Sequence, residues 1–162
     1  MTASSTNPSS PLHANPARWL RVLARIGLAG VFAYAGALKL ADPNGFATDI
    51  ANYRMLPEAL VGPLAVGLPV LELVTALGLL WPAYTQGAAA LCALMLGGFA
   101  IAMAQTKLRG IDLDCGCFGA GADAQVSWTK VALDVALAML ALWLVRPVRN
   151  MPATPPLATA DA

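Results

Sequence analysis

Residues 59–81 read ALVGPLAVGLPVLELVTALGLLW, an apolar run whose only charged side chain is Glu72. About twenty helical residues, rising ~1.5 Å each, cross a hydrocarbon layer of ~30 Å, so this stretch predicts a membrane span. Three other stretches share its character: 19–40, charged only at Arg21, Arg25 and Lys39; 87–106, without charge; and 128–145, charged only at Lys130 and Asp134. The chain therefore reads as all-α, an integral membrane four-helix bundle with four transmembrane helices. Pro43, Pro57, Pro82 and Pro147 sit just outside the spans, where a missing backbone donor does least harm. Pro63 and Pro69 fall inside the second span and predict a bend there. Small residues at helical neighbour spacing, Ala29, Ala33 and Ala37 or Ala89, Ala93 and Gly97, allow helices to approach closely in lipid.

Composition agrees. Of 162 residues, 58% are hydrophobic and 12% charged, where a soluble domain carries roughly a quarter charged residues. This argues against a soluble enzyme. A net charge of +1 leaves no basic face for a run of phosphates, which excludes nucleic acid as a partner. Residues 1–17 are rich in Ser, Thr, Asn and Pro and are expected to form a flexible tail, with His13 solvated in it. Residues 18–147 are expected to form the membrane domain and 148–162 a second flexible tail. A competing reading takes the first span as a signal peptide cut near Ala33-Tyr34-Ala35, but the apolar run continues to Leu38 and favours a retained helix.

Four spans place both termini on one side. Arg18, Arg21, Arg25, Arg146 and Arg149 lie there, against Lys39, Arg54, Lys107, Arg109 and Lys130 on the other, so the positive residues tie. Because the first helix usually dominates orientation and three arginines flank it, the expectation is a plasma (inner) membrane protein with both termini cytoplasmic. Trp19, Trp81, Trp128 and Trp143 fall near span ends, as interfacial anchors do.

The connection between the third and fourth spans, 108–126, would then be extracytoplasmic. It carries Asp114-Cys115-Gly116-Cys117-Phe118-Gly119, the one cluster of reactive side chains. Cysteines one residue apart lie near the limit of disulfide reach, and Gly116 permits the tight turn that bridging needs. A strained, exposed bridge has a raised reduction potential, which suits thiol-disulfide exchange by Cys115 and Cys117. A purely structural bridge, a metal site drawing on Asp112, Asp114 and both cysteines, and two packed free thiols remain open as alternatives. Cys92 lies on the order of 20 Å below this loop and is expected to pack as a small hydrophobe.

Glu72 needs a partner inside the membrane. With the spans centred in the bilayer, Arg25 lies roughly 9 Å and Glu72 roughly 3 Å to the cytoplasmic side, while Lys39 lies ~13 Å to the other. An Arg25–Glu72 ion pair is the expectation, with Lys39 snorkelling outward. Asp134 is expected to pair with Lys130 one turn before it.

The chain resembles the DoxX-like superfamily of small four-helix membrane proteins, and specifically the MauE family. The resemblance covers about 17–146. Arg25 and Ala35-Gly36-Ala37-Leu38-Lys39-Leu40-Ala41-Asp42-Pro43 carry it in the first span, Leu68-Pro69-Val70-Leu71-Glu72-Leu73 in the second, and the 114–119 motif after the third. It implies maturation of methylamine dehydrogenase, whose small subunit is rich in disulfides, together with a thioredoxin-like extracytoplasmic partner. It maps the family's cysteine pair onto Cys115 and Cys117 and its membrane acid onto Glu72. No cofactor is assigned. Quinone stays open as an electron acceptor, although the chain lacks the second cysteine pair through which other membrane oxidoreductases relay electrons. Two other functions stay open: a non-catalytic assembly subunit, and a small-molecule or metal-handling membrane protein built around Glu72.

Overall fold

The computed structural model describes residues 16–110 and 126–146. Among them are five helices: α1 Pro16–Ala41, α2 Pro43–Asn52, α3 Glu58–Leu80, α4 Thr85–Leu108 and α5 Trp128–Val145. Four of these, all but α2, are long and apolar enough to cross a membrane. The expected spans agree with them to within a few residues, and 128–145 at both ends.

The four long helices close a ring in which α1 packs on α3, α3 on α4, α4 on α5 and α5 on α1. Its outer surface differs from that of a soluble protein. Large apolar side chains such as Leu77, Leu94, Ile101 and Met139 point outward, each more than 60% exposed. The interior mixes small residues, Ala29, Ala65, Ala76, Ala89 and Ala141, with Leu28, Phe32, Leu79 and Met103 and a few buried polar residues. Water would penalise so wide an apolar surface, whereas lipid does not. The chain is a multi-pass membrane protein.

Each helix turns one stripe inward. On α3 it runs Val61, Ala65, Pro69, Glu72, Thr75, Ala76 and Leu79, spaced three or four residues apart. On α4 it includes Ala89, Cys92, Ala93, Leu96, Ala100 and Met103. On α1 the buried positions are Leu28, Ala29, Phe32, Ala35, Gly36 and Lys39, while Ala37, part of the expected small-residue stripe, is exposed. Buried hydroxyls are satisfied within their own helices: Thr75 donates to the Leu71 carbonyl at 2.7 Å and Thr106 to that of Ala102 at 2.9 Å. Both internal prolines lie inside a continuous α3.

The helix ends solve a second problem, because the last carbonyls of a helix have no intrahelical donor and lipid offers none. Arg25 Nε donates to Leu79 O at 2.9 Å and its Nη2 to Leu80 O at 3.0 Å, closing the end of α3. Arg21 Nη1 donates to Arg146 O at 2.8 Å beyond α5, with its guanidinium 4.8 Å from the Trp143 ring centroid. The N-terminal half of α1 thus holds together the C-terminal ends of α3 and α5.

At the opposite end, α2 lies against α3 with Phe46 and Ile50 buried among Val61 and Ala65. It was not anticipated from the sequence. Its start carries two standard signals: Asp42 caps it by accepting from the Gly45 N–H at 2.9 Å, and Pro43 occupies the first turn.

Gly36 lets α1 approach α3 closely. A Cβ there would stand 3.0 Å from the Pro69 carbonyl oxygen and 3.2 Å from Glu72 Cβ, whereas a Cβ on Gly30 would meet nothing within 4 Å. Gly36→Leu is expected to cost about 1–3 kcal/mol. Gly30→Ala is expected to be neutral or to stabilise by up to about 1 kcal/mol. Thermal unfolding in one detergent, followed by circular dichroism, checks both.

Candidate functional site

The polar centre of the bundle is built by α1 and α3, which run antiparallel. Glu72 is 2% exposed and Lys39 5% exposed, and they form a direct ion pair in which Lys39 Nζ donates to Glu72 Oε1. The ammonium also faces two rings, with centroids 4.9 Å away for Phe99 on α4 and 5.1 Å for Phe46 on α2. Ring faces attract a desolvated cation, so the lysine is compensated on three sides.

The expected Arg25–Glu72 pair does not form, and the expected outward snorkelling of Lys39 does not occur. The reason lies in how side chains leave a helix: they lean toward its N-terminus. Gly36 marks where α1 meets Glu72 on α3. Lys39 is rooted three residues beyond that point, ~4.5 Å of rise, and leans back toward it. Glu72, on the antiparallel helix, leans toward Lys39. Arg25 is rooted ~16 Å the other way and leans away, toward the carbonyls that end α3. Depth along the bilayer alone, without this lean, favours the wrong cation.

Asp134 was expected only as a neighbour of Lys130. It lines a cavity of about 40 Å³ between α1, α3, α4 and α5, together with Lys39 and Glu72. Sequence spacing within α5 carries no signal for this grouping, which depends on how α5 sits against the other three helices. A larger cavity of about 320 Å³ opens between α2, α3 and α4. Phe46, Tyr53, Leu68, Met95 and Phe99 are among its lining residues, so the two rings that face the Lys39 ammonium also wall an apolar chamber.

Cys92 is fully buried in the main core beside Ala89 and Ala93 and is a free thiol, as a packing role requires. Cys115 and Cys117, with Asp114, Gly116, Phe118 and Gly119, lie outside the described residues. The described residues on either side are Gly110, after the C-terminal end of α4, and Val126, which packs on Met103 just before α5. Both flanks stand at the end of the bundle that also carries α2.

Residues 17–147 match the model of the family described as methylamine utilisation protein MauE. The chain belongs to the MauE family. It is 39% identical over 135 residues to the methylamine utilization protein MauE of Paracoccus versutus, an alignment covering 83% of this chain and 71% of that protein. The MauE protein of Paracoccus denitrificans is 39% identical over 119 residues, covering 73% and 64% of the two chains. That of Methylorubrum extorquens is 36% identical over 127 residues, covering 78% and 68%. No solved structure matches the chain. The MauE match includes Arg25, Lys39, Glu72 and Asp134 as well as the 114–119 motif.

The ion pair makes a sharp energetic prediction for this MauE bundle. Lys39→Met alone leaves a carboxylate buried without its cation and is expected to cost about 3–5 kcal/mol, while Lys39→Met with Glu72→Leu costs far less. Arg25→Ala and Glu72→Ala are expected to be additive within about 0.5 kcal/mol. Double-mutant cycles on thermal unfolding in detergent measure both couplings.

Proposed function

We propose that this protein is a membrane-anchored thiol-disulfide exchange protein that supports methylamine utilisation by maturing an extracytoplasmic client. The observation that carries the reading is the continuous MauE match over 17–147, which takes in Cys115 and Cys117. The relatives' names supply the methylamine context. The fold supports the geometry of such a role: α4 and α5 bring the two flanks of the cysteine segment to one end of a helical membrane anchor.

Orientation follows from the first helix. Arg18, Arg21 and Arg25 lie at the N-terminal side of α1, and this arginine-rich end is assigned to the cytoplasm. The end carrying the cysteine segment then faces outward, where disulfides persist.

In the proposed cycle a client thiolate attacks one sulfur of the Cys115–Cys117 disulfide, and the other sulfur leaves as a thiolate. A second client thiolate attacks the mixed disulfide and releases the oxidised client. Two electrons and two protons pass from the client to the pair. A disulfide on a thioredoxin-like partner takes them up and restores the bridge.

A strain lacking its own MauE protein and unable to grow on methylamine supplies the test. The wild-type chain is expected to restore growth and client disulfides. The Cys115→Ser, Cys117→Ser double variant is expected to restore neither at equal membrane abundance. A membrane-impermeant thiol reagent should label the wild-type pair in intact cells only after reduction. Client oxidation by the double variant at the wild-type level would overturn the exchange role, and labelling only after cell lysis would overturn the orientation.

A further inference from the structure

The cavity of about 40 Å³ beside the ion pair is lined by all four membrane helices. Its wall is mostly apolar, with Phe32, Leu96 and Phe99 contributing, yet Lys39, Glu72 and Asp134 all reach it. The two oxygens of Glu72 differ. Oε1 accepts from Lys39, whereas Oε2 is buried without a hydrogen-bond partner. A charged oxygen in that position has given up its water donors and received nothing in return, which a membrane interior penalises heavily.

A small hydroxylic donor removes the deficit. One water occupies a space of roughly 10–15 Å³ and settles where two to four polar groups surround it, while cavities that stay dry are lined by apolar groups alone. Here there is room for a water and there are three polar neighbours: two carboxyl groups as acceptors and the Lys39 ammonium as a donor. We propose that this cavity is a buried water site in which water donates to Glu72 Oε2 and to the Asp134 carboxylate, linking α3 to α5 and carrying protons between the two carboxyl groups.

The transfer balances. When one carboxyl group holds a proton, its O–H bond breaks as the water oxygen accepts that proton. A different O–H bond of the water breaks as its proton passes to the other carboxylate. Water is regenerated and one negative charge has moved between helices. The ionisable groups at the site are Lys39 from α1, Glu72 from α3 and Asp134 from α5; α4 contributes only Leu96 and Phe99. Asp134 lies six residues, ~9 Å of rise, from the start of α5, so the site is nearer the end where the cysteine segment joins. Ionisable groups facing a bundle axis in this way are typical stations of proton relays. The site stands independently of whether the cysteines exchange disulfides.

The test uses the full chain in lipid nanodiscs. Infrared spectra in ordinary and oxygen-18 water should show a strongly hydrogen-bonded O–H stretch that shifts with the water isotope. The band should disappear in Ala35→Val, which adds bulk at a lining residue, and in Lys39→Met with Glu72→Leu, which removes two polar partners. On unfolding, Ala35→Val should lower the folded-to-unfolded ratio of the wild type roughly tenfold, because it displaces the donor to Oε2. In the Lys39→Met, Glu72→Leu background it should leave the ratio unchanged or raise it, since it then fills an apolar void. Absence of an isotope-sensitive band in the wild type would overturn the proposal. So would stabilisation of the wild type by Ala35→Val, the signature of a dry cavity.

Discussion

Hydrocarbon offers charged groups no partners of its own, and the contact between Lys39 and Glu72 is how this bundle meets that constraint. The pair forms because two antiparallel helices lean their side chains toward each other, and Gly36 lets the backbones come close enough for the reach. Phe46 and Phe99 complete the surroundings of the ammonium. α2 is therefore part of the same arrangement, since it delivers one of those rings from outside the four-helix ring.

The two ends of the bundle are built on different principles. At the arginine end, Arg21 and Arg25 are spent on backbone carbonyls and hold α1, α3 and α5 in register. At the other end lie α2, the apolar chamber beside it and both flanks of the cysteine segment, with the ion pair and its small cavity set further in. One end acts as a clamp, and the other leaves open space beside its polar groups.

Much of the architecture was legible because a membrane span is a matter of length and apolarity, which the sequence displays directly. The α5 bounds and the burial of Glu72 could be read in this way. The partner of Glu72 could not, because depth along the bilayer ignores the direction in which side chains leave a helix. α2 is marked by Asp42 and Pro43 at its start and by Phe46 and Ile50 four residues apart, but ten residues are too few to span the bilayer, so span length carries no signal for it. The grouping of Asp134 with Lys39 and Glu72 joins residues on three helices and is visible only once they are packed. The cysteine motif is the opposite case, distinctive in sequence and lying beyond the described residues.

Because ribosomes deliver this chain from its amino end, Lys39 leaves the exit tunnel thirty-three residues ahead of the acid that neutralises it. Until the next long helix arrives that ammonium has no carboxylate to meet, and, rooted in the last turn of α1, it is free to reach for the interface. Closing the pair then belongs to the docking of α1 on α3 rather than to the entry of α1 alone.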